Sequence, residues 1–267
     1  MKKYVQVLKL NLQTSFMYKG NFVLTSWMDV FRVMAEIAFW KVLFSSISVS
    51  EINGLHYSSI VTYYIFMFII GSFTNVSGIG YKVANDIKDG ALNHLLVRPI
   101  HYIGYCFTEL LSQKLLHLII AMLMFIPVVI FRFGDLHVRI SSEQLFLLPL
   151  VVVFSLILSF FINVMISLFV FWITEVTSLF FFKDIILDCA SGRVFPLDLF
   201  PTSLLNVFSV LPFMYCTYFP TIMITKGLSS GELYRGLIIQ LAWIIALYCF
   251  TKVIWRLGLK KYVGTGA

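Results

Sequence analysis

About six apolar stretches, each close to the length of chain that crosses a bilayer, take up nearly all of this 267-residue sequence. A spanning helix needs roughly 20 apolar residues, so little chain is left for a sizeable water-soluble domain. With 60% hydrophobic and 12% charged residues, the sequence falls in the polytopic membrane class. The expected fold is an all-α polytopic membrane protein, a single transmembrane domain over 1–267 with six transmembrane helices. Spans are predicted at 21–44, 57–80, 105–131, 143–173, 176–192 and 234–255.

The first twenty residues carry Lys2, Lys3, Lys9 and Lys19 without an uninterrupted apolar run, so a cleavable signal peptide is not expected. Val5, Leu8, Leu12 and Phe16 share one helical face, and Lys2, Gln6, Lys9 and Gln13 share the other. That pattern predicts an amphipathic interfacial helix over 2–19. Near the other end, Pro196, Pro201, Pro212 and Pro220 interrupt 193–225 too often for one straight helix, although the stretch is apolar. A pair of re-entrant helices between spans 5 and 6, on the outer side, is expected there.

The net charge of +7 has a topological cause. With the amino terminus inside, Lys2, Lys3, Lys9, Lys19, Lys82, Lys88, Arg98, Lys252, Arg256, Lys260 and Lys261 fall on the cytoplasmic side. Lys41, Arg132, Arg139, Arg193, Lys226 and Arg235 fall outside or near it, and Arg32, Lys114 and Lys183 lie within spans. The excess places both termini in the cytoplasm. The basic residues do not cluster on a soluble surface, so no nucleic-acid partner is expected. Cys106, Cys189, Cys216 and Cys249 lie far apart in apolar segments without metal-ligand spacing, and are expected to be buried thiols with no metal.

Between spans two and three lies a polar island, DIKDGALNHLLVRPIH, from Asp86 to His101. The same charge excess puts it inside. Asp89 is expected to cap a short helix with Leu92, Leu95 and Leu96 on one face, stopped by Pro99. Periodicity alone reads equally well as a tight cytoplasmic turn.

Two intramembrane stripes carry charge. Thr25, Asp29, Arg32 and Glu36 share a face of span one, where Arg32 can pair with Asp29 and Glu36. Charges are costly in lipid, so that face should point at protein or water. It reads either as the lining of a substrate path or as a neutralised network between helices. In span five Thr177, Asp184, Asp188 and Ser191 line up with Lys183 on an adjoining face. Two carboxylates a turn apart suit either a cation or proton site or structural ion pairs with basic residues of another span or subunit. The GLSSG run at 227–231 matches a nucleophile elbow only formally, since no Asp or His follows Ser229; a turn before span six is the better reading.

The runs IKDGALNHLLVRPI (87–100), SGRVFPLDLFP (191–201) and LPFMYCTYFP (211–220) resemble the ABC-2 type permease family, in its six-span bacterial branch. The resemblance covers essentially the whole chain and implies an ABC-2, type V exporter-like fold in the bacterial cytoplasmic membrane. In that family the loop after the second span is a coupling helix, here 86–101, that docks into a separate nucleotide-binding ATPase subunit. Asp89, Gly90, Leu92, Leu95, Leu96, Arg98 and Pro99 would by that resemblance form the contact. The implied assembly pairs this chain with a second permease protomer, the same chain or a related one, in membrane lipid.

No G-x-x-x-x-G-K-[ST] loop occurs in the sequence. The chain is therefore expected to be a transport subunit and not an enzyme, with no cofactor of its own, and ATP and Mg bound by the partner. The function expected is outward movement of an amphipathic compound, peptide or lipid. The alternative is an ion- or proton-coupled secondary transporter using Asp184 and Asp188.

Overall fold

A computed structural model describes residues 2–17, 19–47, 51–52, 55–98, 100–131, 136–173 and 176–262. Apart from two short strands, β1 (Glu51–Ile52) and β2 (Leu55–His56), which pair antiparallel, the regular structure among them is helical. In order come α1 (Lys2–Met17), α2 (Lys19–Ile47), α3 (Tyr57–Thr74), α4 (Ser77–Lys88), α5 (Leu92–Leu96), α6 (Tyr102–Phe131) and α7 (Ser142–Ser167). A 3-10 turn at Leu168–Phe171 prolongs α7; α8 (Thr177–Ala190), α9 (Thr202–Val210), α10 (Tyr218–Thr225) and α11 (Ser230–Lys261) follow.

Four segments among the described residues are long and apolar enough to cross a membrane: Tyr57–Lys88, Tyr102–Leu123, Ser142–Phe171 and Ser230–Lys261. Helix α2 has the length, 29 residues, but carries Asp29, Arg32, Glu36 and Lys41. Helix α8 has only 14 residues, which is about 21 Å of rise against a hydrocarbon core of roughly 30 Å.

Capping chemistry fixes where two of the long helices begin. Ser141 and Gln144 form a reciprocal capping box at the start of α7, and Ser229 and Glu232 form another at the start of α11. The GLSSG run is thus a turn and a helix cap: Gly227 takes a left-handed φ of 69° and Ser229 caps. The four prolines of 193–225 act similarly. Pro196, Pro201 and Pro212 stand immediately before helical pieces and Pro220 lies in the first turn of α10, positions where the missing N–H costs no helical hydrogen bond.

The bundle has two ends. At one, Tyr102 stacks on Trp255 at 5.2 Å, Phe171 packs on Trp255 and Tyr262, and Tyr4 of α1 covers Gly104 of α6. At the other, the Arg139 N–H donates to the Ile224 carbonyl at 2.9 Å, the Tyr234 hydroxyl donates to Glu143 at 2.7 Å, and Lys226 pairs with Asp198. Lys82, Lys88, Arg98, Lys252, Arg256, Lys260 and Lys261 belong to the first end, with α1, the island and the end of α11. The segment 197–225 starts and finishes at the second end. Between, it reaches well down the bundle, where Tyr215 accepts from Gln240 of α11 and Ser155 of α7 at 3.1 and 2.8 Å.

Three expectations change. The helix of the second span does not stop at Gly80 but, after a break, continues to Lys88, because Ile79, Val83, Ala84 and Ile87 give α4 a buried stripe against α7. The packed face of α1 is rotated: Val5 is exposed, while Tyr4, Val7 and Leu8 are partly buried and α1 packs against α6. Gly104 favours this, since a Cβ there would lie 3.2 Å from the Tyr4 ring, closer than an ordinary contact. Of the cysteines, Cys106 and Cys216 are buried, but Cys189 and Cys249 are exposed on helix surfaces.

Candidate functional site

Helices α3 and α4 would be one continuous helix but for Asn75 and Val76. Asn75 is extended (φ −72°, ψ 115°), and its side chain accepts from the Ser77 N–H and hydroxyl at 3.2 and 3.0 Å. Asparagine and serine offer the backbone such local partners, which is why the helix breaks here. The Ser77 hydroxyl also lies 3.2 Å from the Asp184 carboxylate of α8, so its single proton is shared between Asn75 and Asp184.

From the break a polar seam runs in two directions. Toward α7, Lys183 is buried and lies 2.7 Å from Asp184 and 2.6 Å from the Asn163 side-chain oxygen. Asn163 donates to the Ser159 carbonyl at 2.9 Å, and Ser167 donates to the Gly80 carbonyl at 2.9 Å. Toward α2, Asp188 pairs with Arg193 at 2.8 Å. Gly192, at φ 74°, lets the chain turn out of α8, so that the Arg193 and Val194 N–H groups return to the Asp188 carbonyl. The Tyr63 hydroxyl donates to the Gly192 carbonyl at 2.7 Å, and the Tyr64 hydroxyl to the Val194 carbonyl at 2.8 Å.

Arg193 then faces a cavity of about 120 Å³ bounded by α2, α3 and α6. Asp29, Arg32 and Glu36 line it from α2, Gly71, Ser72 and Asn75 from α3 and its end, and Lys114 and His117 from α6. Arg32 pairs with Glu36 at 3.2 Å, and the buried Lys114 ammonium donates to the Ser72 carbonyl at 3.3 Å. Arg32 was expected to bond Asp29 too; among the described residues its ion pair is with Glu36, and Asp29 shares the cavity with Lys114. The Thr25 side chain lies outside the described set. The predicted stripe of span one is thus the wall of a polar cavity completed by cations from other elements.

The carboxylates of span five pair with cations of their own segment and not with those of another span. Asp184 is held by Lys183 and Asp188 by Arg193, so the four charges cancel. Among the described residues no group of three or more His, Cys, Asp and Glu side chains could hold a metal ion.

At the first end, the island is built differently from its expected form. Asp86 to Lys88 are the last turn of α4, and Asp86 accepts from the Tyr102 hydroxyl at 2.8 Å. Asp89 does not cap α5. It ends α4, with its N–H on the Asn85 carbonyl, and the residue before α5 is Ala91, with no side-chain cap. Gly90, at φ 76°, makes the turn between them, a conformation that strains any residue with a Cβ. Leu92 is 0% exposed and packs into the core with Val83, Ile87 and Tyr102. Leu95 is partly buried, whereas Leu96 is 43% and Val97 84% exposed, followed by an exposed Arg98. Leu92 therefore anchors the loop from below, and the outward apolar surface is Leu96 with Val97. Pro99 lies outside the described residues.

A family model described as ABC-2 family transporter protein matches residues 30–266. The chain belongs to the ABC-2 transporter family. Compared with curated protein sequences it finds no match. An ABC-2 transporter protein is a membrane transport component, and its apolar helices mark this one as transmembrane.

Several residues of this ABC-2 permease's seam carry no role in the sequence reading. Arg193, counted with the outer loop, is turned into the bundle. Lys114 and His117, one turn apart inside an apolar span, were a signal in themselves, since intramembrane ionisable groups are rare without a task. Asn75 stands in a run of small polar residues, Gly71, Ser72, Thr74, Asn75 and Ser77, within the second span. Val97 is missed because a β-branched residue beside Arg-Pro gives no periodic cue.

Proposed function

We propose that this chain is the membrane-spanning permease of an ATP-driven exporter, worked by a separate nucleotide-binding ATPase that carries ATP and Mg. The Leu96–Val97–Arg98 tip carries this reading: an apolar pair followed by a cation, exposed on a loop otherwise nailed into the core through Leu92 and Asp86. Such a tip is a surface for a protein partner. Asp89 and Arg98 frame it.

Helix α4 links that tip to the break at Asn75–Val76. It is packed against α7 and bonded to Ser167, so displacement of the tip is delivered as movement of a rigid rod whose far end adjoins the polar seam. The seam and its cavity would form part of the path of an amphipathic compound, peptide or lipid, completed by a second permease protomer. In this reading α2 and α8 join the four long apolar segments to give six spans, with the chain from 191 to 198 finishing the traverse that α8 begins. The pair α9 and α10 is re-entrant from the outer side, α1 lies at the interface, and both termini are cytoplasmic, as the basic first end supports.

Copurification from native membranes tests the proposal. A P-loop ATPase should accompany the chain, and reconstituted transport should stop without ATP. Recovery of the chain alone, with transport driven by an ion gradient and lost in Asp184→Asn/Asp188→Asn, would support the ion-coupled alternative and overturn this one.

A further inference from the structure

Between α6, α7 and α11, at the end of the bundle that carries the island, lies a cleft of about 530 Å³ unrelated to the polar seam. That volume is within the roughly 300–1,000 Å³ of small-molecule sites. Phe107, Phe160, Phe161 and Trp255 make it an apolar slot. Among the described residues the basic side chains His101, Lys252 and Arg256 line it, and no Asp or Glu does. Lys252 is held 4.6 Å from the Tyr248 ring centre, and among the described residues neither Lys252 nor Arg256 has a carboxylate partner.

Thr251 supplies an independent observation. It lines the cleft at 1% exposure, and its hydroxyl has no hydrogen-bond partner. A helical threonine ordinarily bonds the carbonyl a turn earlier, and an unsatisfied buried hydroxyl is costly. An acceptor brought by a ligand would satisfy it.

We infer that this cleft binds an anionic phospholipid from the surrounding leaflet, with an acyl chain along the aromatic slot, an ester carbonyl at Thr251 and the phosphate between Lys252 and Arg256. The cleft lies along α11, the least enclosed of the long apolar helices, so it opens where lipid is the solvent. A diffusible anion would have no use for the apolar slot. Basic pockets between helices at a membrane's inner face are suited to anionic headgroups. The inference does not rest on the proposed ATPase coupling.

Native mass spectrometry of the full-length chain released from detergent, titrated with phosphatidylglycerol, phosphatidylcholine or inorganic phosphate, tests it. One phosphatidylglycerol should be retained per chain, in preference to phosphatidylcholine and undisplaced by phosphate. Lys252→Gln/Arg256→Gln should weaken retention by roughly tenfold or more. Thr251→Val should weaken it by a few-fold. Ile157→Trp, which fills the slot without touching a charge, should abolish it while leaving thermal unfolding unchanged. Equal retention of both lipids, or full retention in the double variant, would overturn the inference. So would displacement by phosphate, or an Ile157→Trp variant that folds and binds normally, because the anion would then sit outside the slot.

Discussion

The α3–α4 pair and α11 are each 32 residues long and apolar enough to span, yet 56% of the apolar window of the first is buried and 17% of that of the second. The enclosed segment is the interrupted one. It breaks at Asn75, carries the tyrosines that hold the chain after α8, and borders both halves of the polar seam. The peripheral one runs unbroken and takes aromatic rings from the bundle directly onto its backbone at two glycines: a Cβ on Gly236 would lie 2.2 Å from the Phe219 ring, and one on Gly258 would lie 2.1 Å from the Phe171 ring. A membrane bundle can break a helix only where protein supplies the freed backbone groups with partners. In the proposed mechanism the moving parts belong to the enclosed pair, and the less buried α11 serves as the wall.

That contrast can be broken in several places. The largest stability loss should come from the seam: Lys183→Met leaves Asp184 and Asn163 without their buried cation and should cost about 2–3 kcal/mol, below the full buried-pair value because Asp184 is partly exposed. Adding Asp184→Asn should restore part of the loss in a double-mutant cycle of thermal unfolding. Gly258→Ala should cost about 2 kcal/mol by overpacking α11 on Phe171. Gly71→Ala, whose Cβ finds only ordinary contacts at 3.9 and 4.0 Å, should stabilise α3 by up to about 1 kcal/mol while slowing transport by narrowing the cavity beside Arg193. Ile238→Ala, on the exposed side of α11, should change stability by no more than about 0.5 kcal/mol. If Ile238→Ala proved as damaging as Lys183→Met, the division into enclosed machinery and peripheral wall would fail.

The sequence made legible what depends on long apolar runs and on proline. Helices lie over the first four long apolar runs, as α2, the α3–α4 pair, α6 and α7, although the second is broken at Asn75 and continues to Lys88; the prolines of 193–225 keep that stretch from forming one straight helix. What it could not give is which way a short element faces. Leu92, Leu95 and Leu96 do share a helical side by spacing, but a five-residue helix does not reveal how it is rolled, and Leu92 proved to be the anchor. Asp89 stands where a cap would by spacing, but the left-handed turn at Gly90 moves the start of α5 to Leu92. The network around Asp188 was hidden for another reason: Arg193 is brought inside by a reversal at Gly192, and such long-range closure leaves no periodic trace. The existence of charged intramembrane faces was readable; their partners were not.

In the proposed mechanism the tip beyond the enclosed pair, through Val97, receives the motion of an ATPase and α4 carries it to the break at Asn75. ATP-driven transport by the chain reconstituted with its copurifying ATPase, comparing wild type with Val97→Asp, tests it most directly. Because Val97 is 84% exposed, the substitution should leave thermal unfolding within about 0.5 kcal/mol of wild type while transport and ATPase retention fall together. A Val97→Asp protein that keeps both its ATPase and its transport rate would contradict the account.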